Sequence, residues 1–173
     1  MIYIGIDPGL TGAVAVVTTI GEVAIFDTPI TKIKQGKTLK SDYLPYEMAD
    51  ILERYRDNGH VFIEKVHAMP AMSIGKDGKE KRQGVTSLFR FGEGYGLWLG
   101  IIAALHIPMT KVAPQTWKKS LLFGMPDKDS SRQRAQELWP KCVNELSRKK
   151  DIGRSDALLI ATWGMRTFIE NKE

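Results

Sequence analysis

An apolar stretch near the start of the chain ends on an acid. Residues 2–7 read I-Y-I-G-I-D, and the alternation of Ile2, Ile4 and Ile6 predicts a buried strand. Desolvating a carboxylate there costs on the order of several kcal/mol unless a partner or a metal ion compensates. Any fold of this chain therefore has to give Asp7 a compensating neighbour.

Size and composition suit a soluble protein with one domain spanning residues 1–173. The chain is 43% hydrophobic, and a domain of this length buries roughly two-thirds of its unfolded surface. Its 25 Lys and Arg against 20 Asp and Glu give a net charge of +5, which permits a polyanionic partner without requiring one. The one cysteine excludes an internal disulfide and a thiol-rich metal site. With no secretory signal and no apolar run of the ~20 residues that span a bilayer, we expect a cytoplasmic protein without membrane contact.

Hydrophobic periodicity predicts an α/β fold. Residues 12–19 and 22–28 predict two strands that continue the first one as an antiparallel meander. The lysine-rich stretch from Thr31 to Lys40 is expected to be a solvated loop, and residues 69–83 are expected to be a basic loop too charged to pack. Further strands are predicted over 61–63 and 108–112, and helices over 42–56, 86–106, 113–122 and 127–139 and from Arg154 or Ser155 onwards.

Small residues recur every four positions in the long predicted helix. Gly92, Gly96, Gly100 and Ala104 share one face. Each glycine costs a helix up to ~1 kcal/mol, so the stripe indicates close approach by another element. That element is either the chain's own sheet or a partner subunit.

Two more acids repeat the pattern of Asp7. Glu64 follows the short strand over 61–63, and Asp156 lies in the first turn of the last helix, whose apolar face must pack on the sheet. Clustered carboxylates raise one another's pKa unless a cation is present, and oxygen ligands select Mg²⁺ or Mn²⁺ over zinc. Two such ions ~4 Å apart hydrolyse phosphodiesters. A basic protein with an acidic metal pocket is typical of a nuclease.

Four motifs carry a family resemblance. The segments I-G-I-D-P-G-L-T-G-A, F-I-E-K-V, V-A-P-Q-T-W-K-K and S-D-A-L-L-I-A, in this order, resemble the RuvC family of Holliday junction resolvases, and more narrowly the RuvC-like resolvases of bacteriophages. The resemblance spans Ile2 to Trp163. It implies an RNase H-like α/β fold with a five-stranded mixed sheet, the first three strands antiparallel, flanked by helices. It also implies a homodimer that nicks four-way DNA junctions with two Mg²⁺ or Mn²⁺ ions, leaving 5′-phosphate and 3′-hydroxyl ends in a bacterial host's cytoplasm.

The resemblance assigns the metal ligands. Asp7, Glu64 and Asp156 match three catalytic acids of the family. A further family acid, one helical turn before the last, is replaced here by Gly153. Asp151 would point about 140° away from Asp156 if the helix reached back to it. It is a fourth ligand only if residues 151–154 fold inward, and otherwise it is a solvated acid.

The resemblance also assigns basic residues. Lys118 matches a lysine beside the family's active site, where it offsets charge in the transition state or binds the DNA backbone. Lys119 and Lys128 are expected to contact DNA, and His67 stands where the family often has an aromatic that stacks on a base. The basic segment that follows Glu64 is expected to grip the junction arms through Lys76, Lys79, Lys81 and Arg82.

Three other interpretations compete with a junction resolvase. A strand ending in Asp before a Gly-Thr turn also opens the ATP-binding fold of actin and sugar kinases, but those proteins need two such domains, so we expect no nucleotide cofactor. Gly153 raises the possibility of a junction-binding protein that has lost its chemistry. The same metal pocket also suits a broader nuclease that cuts flaps, forks or RNA–DNA hybrids.

Overall fold

The computed structural model describes residues 1–36, 38–66, 72–74, 80–82, 84–125 and 129–170, with the backbone alone for 35, 72–74 and 80–82. The strands in these ranges are Ile2–Asp7 (β1), Ala13–Thr18 (β2), Val23–Asp27 (β3), Ile30–Gln35 (β4), Thr38–Tyr43 (β5), Gly59–Glu64 (β6), Met72–Ile74 (β7), Glu80–Arg82 (β8) and Met109–Val112 (β9). The helices are Pro45–Glu53 (α1), Val85–Ala104 (α2), Pro114–Leu121 (α3), Ser130–Leu138 (α4) and Ile152–Glu170 (α5).

Five strands form a mixed sheet in the order β3-β2-β1-β6-β9. Both β1–β2 and β2–β3 pair antiparallel, whereas β6 pairs parallel with both β1 and β9. The predicted architecture, a mixed sheet that begins with an antiparallel meander and is flanked by helices, is confirmed. No helix within the described ranges combines the length and apolarity needed to cross a membrane.

The sheet has an apolar core on each face. Because side chains alternate along a strand, Tyr3 of β1 packs into the core under α3, α4 and α5, whereas Ile4 and Ile6 pack under α1 and α2. Asp7 and Gly5 share the face of Tyr3. The alternation therefore directs the terminal acid of β1 to the side of the sheet that α5 covers.

Helix α5 lies directly on the backbone of β1. A Cβ atom at Gly5 would come within 2.1 Å of the Ala157 carbonyl oxygen and 2.4 Å of the Ala161 amide nitrogen. Glycine weakens a strand interior, yet here it is the residue that leaves room for the helix. The contact fixes the height and the distance of α5 above β1.

Several predicted elements differ from the observed ones. The stretch from Thr31 to Lys40, expected as a loop, lies largely in the β4–β5 hairpin. The first helix begins at Pro45 rather than at residue 42, because the preceding residues belong to β5. Within the segment 69–83, expected to be a loop, β7 and β8 pair antiparallel.

The glycine stripe of α2 does not pack on the sheet. Added Cβ atoms at Gly92, Gly96 and Gly100 would meet no atom of the described residues within 4 Å, and all three glycines are exposed. The chain's own sheet is therefore the wrong partner for this face.

Replacing Gly5 tests the helix contact. We expect Gly5→Ala to lower the free energy of unfolding by about 3 kcal/mol, the upper end of the usual cost of overpacking, because the atoms it meets are backbone. Denaturant unfolding measures this change. In the control Gly84→Ala, where the added atom meets nothing within 4 Å in the part of the chain that the structure describes, the loss should stay below about 1 kcal/mol. Equal stability of Gly5→Ala and the wild type would contradict the packing.

Candidate active site

Two of the acids are neighbours at one edge of the sheet. Strands β1 and β6 are parallel with Ile6 opposite Ile63, so Asp7 and Glu64 follow directly at the carboxyl ends of adjacent strands. Their Cα atoms are separated by about one strand spacing, ~4.8 Å. The register thus places both side chains at the edge where α5 begins.

The third acid comes from helix α5. Because α5 begins at Ile152 rather than at Arg154 or Ser155 as predicted, Asp156 lies at the start of its second turn and not in its first. The packing of Gly5 against Ala157 sets this part of the helix above the end of β1. Asp156 and Glu64 both act electrostatically on Asp7. The structure therefore brings together the three acids that the sequence singles out.

The environment favours the protonated form of Asp7. Burial of the carboxyl, followed by repulsion from Asp156 and Glu64, raises its pKa from 3.8 to about 7. A hydrogen bond from the Gly9 backbone N–H and the positive charge of Lys118 act in the opposite direction without cancelling the shift. The charged form of a carboxyl group in this environment is strongly stabilised when a cation binds beside it.

Asp156 has an unused oxygen. Burial raises the pKa of its carboxyl, while a hydrogen bond from the Ser131 hydroxyl and the charge of Lys118 partly oppose the rise. Its Oδ1 atom is buried and has no hydrogen-bond partner within the described part of the chain. An orphaned buried carboxylate oxygen is costly unless something binds it.

Glu64 is held by a tryptophan. The indole Nε1 of Trp117 in α3 donates a 2.8 Å hydrogen bond to Oε2 of Glu64, and the Trp117 side chain is fully buried. The Nζ atom of Lys118 lies 5.0 Å from the centroid of the Trp117 ring. Helix α3 therefore carries Trp117, which orients Glu64, and Lys118, which places a positive charge near the acids.

These groups fit divalent metal ions by chemistry. Three carboxylates form an oxygen-only donor set of the kind that Mg²⁺ and Mn²⁺ prefer, and the orphaned Asp156 oxygen and the raised pKa of Asp7 both fit a site that binds a cation. Among the described residues, no three His, Cys, Asp or Glu side chains already form a complete metal site. Closing the three carboxylates around an ion therefore requires movement of their side chains.

Asp151 belongs to a different group of charges. Its carboxylate is buried and pairs with the Arg148 guanidinium at 2.8 Å, and it also accepts a hydrogen bond from the Arg148 backbone N–H. These contacts hold the pKa of Asp151 below its usual range, and Arg154, Asp27 and Arg132 are further charged neighbours. It is thus neither the solvated acid considered above nor a neighbour in the charge network of Asp7.

The backbone occupies the place of the family's additional acid. A Cβ atom at Gly153 would lie 2.2 Å from the Thr11 carbonyl oxygen and 2.9 Å from the Gly12 Cα. The turn between β1 and β2 thus abuts the start of α5 and leaves no space for a side chain. Position 153 is therefore a glycine because any side chain there would clash with this turn.

The basic residues predicted from the sequence are only partly visible. Lys118 is exposed beside the acids, and Lys119 is exposed next to it on α3. Lys81 and Arg82 lie in β8, for which the backbone alone is described. The remaining predicted DNA contacts, His67, Lys76, Lys79 and Lys128, lie outside the described residues.

Two supporting residues escaped the sequence analysis. Trp117 lies within the segment V-A-P-Q-T-W-K-K, where only Lys118 and Lys119 suggest a role, and no sequence motif points to Ser131. A polar ring atom on the buried face of a short helix was the available signal for Trp117, because a buried indole N–H usually finds a partner. No local pattern distinguishes Ser131 from Ser130.

Comparison with known proteins supports a RuvC-like assignment. No protein-family model matches the chain. The chloroplastic Holliday junction resolvase MOC1 of Chlamydomonas reinhardtii is 38% identical over 71 residues, which are 40% of this chain and only 8% of that protein. A Thermus thermophilus RuvC structure in complex with a Holliday junction substrate matches with a TM-score of 0.59 and 15% identity over 96% of both chains. Another T. thermophilus RuvC structure matches with a TM-score of 0.52 and 14% identity over 97% of both chains.

These matches confirm the resemblance to RuvC and identify the fold. The five-stranded mixed sheet with its antiparallel start and flanking helices is the RNase H-like α/β fold of RuvC. At this level of identity the structural likeness is one of fold. The sequence match adds that part of the chain is similar to a protein named as a Holliday junction resolvase.

The raised pKa of Asp7 predicts an unusual pH dependence. Between pH 5 and 7 the folded state binds a proton that the unfolded state has released, so stability falls as pH rises through this window. With EDTA present, we expect Asp7 to contribute a loss on the order of 1 kcal/mol per pH unit, while the lowered pKa of the partly buried His60 contributes in the opposite direction. The pKa values of three other acids are lowered, those of Asp27, Asp129 and Asp151. These acids stabilise the fold fully between pH 5 and 7 and therefore do not affect the slope.

Urea unfolding of Asp7→Asn at several pH values measures how much Asp7 contributes to the pH dependence of stability. This variant should be more stable than the wild type at pH 7.5 and should show a flatter profile between pH 5 and 7. The exposed Asp57 at the opposite edge of the sheet provides the matched control, because Asp57→Asn should keep the wild-type slope. Parallel profiles for Asp7→Asn and the wild type would contradict the proposed charge cluster.

Proposed function

We propose that the chain is a metal-dependent endonuclease that nicks four-way DNA junctions by phosphodiester hydrolysis, leaving 5′-phosphate and 3′-hydroxyl ends. The observation that carries the proposal is the convergence of Asp7, Glu64 and Asp156 at one edge of a RuvC-like fold. The junction-bound RuvC structure of the same fold and the partial match to a junction resolvase support this substrate. The net charge of +5 is compatible with a DNA partner.

Asp7, Glu64 and Asp156 are the residues that would hold the metal. When bound, two Mg²⁺ or Mn²⁺ ions supply an activated water and stabilise the leaving oxygen. Asp7 is central because it is flanked by both other acids. Asp7 would hold the metal as a carboxylate, since a positive neighbour favours the charged form over the protonated one.

Other residues prepare the three carboxylates for this task. The Trp117 indole orients Glu64, and the Ser131 hydroxyl orients Asp156. Lys118 acts on both Asp7 and Asp156, and its charge offsets the negative charge that builds up on the phosphate in the transition state. Asp151 would join the metal ligands only by leaving Arg148, so the proposed centre contains three carboxylates.

DNA contact is assigned to basic residues around this edge. Lys119 follows the catalytic lysine on the exposed side of α3, and a lysine there adds a backbone phosphate contact. The further contacts inferred from the resemblance are His67, Lys76, Lys79, Lys81, Arg82 and Lys128.

We further propose that the enzyme acts as a homodimer. The exposed face of α2 forms a shallow apolar hollow that includes Gly96, Gly100 and Ala104, and the described part of the chain leaves the stripe uncovered. A second α2 helix could approach closely there. Twofold symmetry would present two identical sites to opposed strands of a four-way junction, which has approximate twofold symmetry.

A junction-binding protein without cleavage activity is the second candidate. It is favoured by Gly153, where backbone contacts exclude the family's additional acid, and by the lack of a preassembled metal site in the described ranges. The orphaned oxygen of Asp156 and the raised pKa of Asp7 favour the active enzyme instead.

The decisive assay compares DNA substrates and metals. Purified protein is incubated with a labelled four-way junction, a flap and a linear duplex of the same sequence, in Mg²⁺, Mn²⁺ or EDTA. We expect symmetric nicks in the junction alone and only with metal. Equal cutting of the flap would identify a broader branched-DNA nuclease, whereas junction binding without cutting in either metal would identify the inactive binder.

Asp7→Asn tests the metal assignment. The change removes one negative ligand and no basic residue, so we expect cleavage to fall below detection while junction affinity in EDTA stays within about twofold of the wild type. The Asp57→Asn control should cut normally. Cleavage at the wild-type rate by Asp7→Asn would exclude Asp7 as a metal ligand.

Trp117→Phe tests the orientation of Glu64. The ring remains but the donor is lost, so we expect the Mn²⁺ concentration for half-maximal cleavage to rise about 10- to 100-fold, the usual cost of removing a ligand's supporting hydrogen bond. Direct Mn²⁺ binding, measured by electron paramagnetic resonance, should weaken in parallel.

Trp98→Phe is the matched control for the loss of indole volume. Trp98 is also fully buried, but its Nε1 has no hydrogen-bond partner among the described residues. The Trp98→Phe variant should therefore be less stable than the wild type but should need the same Mn²⁺ concentration for half-maximal cleavage. Equal shifts in both variants would mean that Trp117 acts through packing alone.

A further inference from the structure

The β4–β5 hairpin carries unpaired positive charge. It forms a two-stranded sheet of its own, paired from Ile30 opposite Tyr43 to Gln35 opposite Thr38. Lys32, Lys34 and Lys40 are exposed on it and form no ion pair within the described part of the chain. Lys40 pairs with Ile33 and therefore lies on one face of the ribbon, whereas Lys32 and Lys34 lie on the other. A ribbon of this kind has the charge to contact a phosphate backbone.

The base of the hairpin is fixed to helix α2. The Tyr43 hydroxyl donates a 3.2 Å hydrogen bond to the Arg90 carbonyl oxygen, and the Arg90 guanidinium pairs with Asp42. The ring of Tyr43 packs so closely on α2 that a Cβ atom at Gly94 would lie 2.2 Å from its hydroxyl oxygen. The lysines are therefore borne by a ribbon with a defined position.

A groove connects this ribbon to the acidic site. A cavity of about 680 Å³ has Asp7 and Leu10 on one wall, Lys40 and Ser41 of the hairpin on another, and residues including Phe91 of α2 on a third. Its volume is in the range of pockets that hold small organic ligands, and a nucleotide is of that size. The charge of Arg90 at this groove is offset by Asp42 and Glu93, whereas Lys40 remains available to a phosphate.

We propose that this groove holds the DNA strand beside the phosphate to be cut, that Lys40 binds the backbone of this strand, and that Lys32 and Lys34 bind junction phosphates on the opposite face of the hairpin. The inference rests on the proposed nuclease function and adds a binding surface to it. The strand would pass over Asp7 and run between the hairpin and α2, with Lys40 against a phosphate and Leu10 and Phe91 against apolar parts of the nucleotide. Because the hairpin is anchored through Tyr43, it keeps the strand in line with the carboxylates.

Salt dependence of junction binding tests the lysine contacts. The variant Lys32→Gln/Lys34→Gln/Lys40→Gln and the wild type are titrated with a four-way junction in EDTA at several salt concentrations. Each lost phosphate contact should reduce the slope of log K against log salt by about 0.9, so the triple variant should lose about 2.7. An unchanged slope would overturn the proposal.

The control removes charge at the other end of the sheet. Arg56 follows α1 and Arg166 lies on the part of α5 that ends near Tyr3 and His60, and both are exposed. Arg56→Gln/Arg166→Gln should keep the wild-type slope. A similar loss of slope in both variants would mean that the binding responds only to net charge, and it would also overturn the proposal.

The location of the contact is tested with modified DNA. Neutral methylphosphonates replace single phosphates near the cut, and binding is compared for the wild type and Lys40→Gln. The positions where the wild type loses affinity but Lys40→Gln does not should lie within a few nucleotides of the cut. Positions remote from the cut, or no such position, would overturn the placement of the strand in the groove.

The outcomes separate this inference from the proposed function. If the wild type neither binds nor cuts the junction, the nuclease assignment itself fails. If the wild type cuts the junction and the lysine variants bind it with unchanged slope, only the hairpin inference fails. Thermal unfolding of each variant confirms that the exposed substitutions leave the fold intact.

Discussion

Gly5 allows helix α5 to rest on the backbone of β1, and the geometry of the acidic site depends on this contact. The helix is held by Ala157 and Ala161 against the strand, so Asp156, one residue before Ala157, must lie near the strand's end. The parallel pairing of β1 with β6 then adds Glu64 from the side. Three acids that are far apart in the sequence thus meet because one helix and two strands pack without space between their backbones.

The same packing makes the site electrostatically costly. Burial and mutual repulsion raise the pKa values of Asp7 and Asp156, and the single charge of Lys118 offsets only part of this effect. Trp117 and Ser131 fix the orientation of two carboxylates without neutralising them. Carboxylates that repel one another in a buried site are stabilised when a cation binds. This gain is a physical basis for the proposed metal-dependent activity.

Local patterns in the sequence were sufficient for the strands that end in acids, because alternation and the terminal carboxylate are both visible within residues 2–7. The β4–β5 hairpin is harder to predict, because a run of lysines fits a solvated loop as well as an exposed strand. Ile33 between Lys32 and Lys34, followed by a turn in which Gly36 adopts a φ of 62°, was the contrary evidence for a strand. The contact of Trp117 with Glu64 was inaccessible to such reasoning, since it joins residues 53 positions apart.

Gly153 and Asp151 together explain why this site differs from the family's pattern. Where the additional acid would stand, the turn at Thr11 and Gly12 contacts the start of α5 directly, and the nearest preceding acid is already neutralised by Arg148. Restoring the acid at position 153 would force the turn that follows Asp7 away from the helix. Since that turn begins immediately after Asp7, the displacement would disturb the carboxylate that the new ligand was meant to assist. The packing of this chain therefore leaves three carboxylates for the proposed centre, whose compensating positive charge would come from bound cations and from lysines around the edge of the sheet.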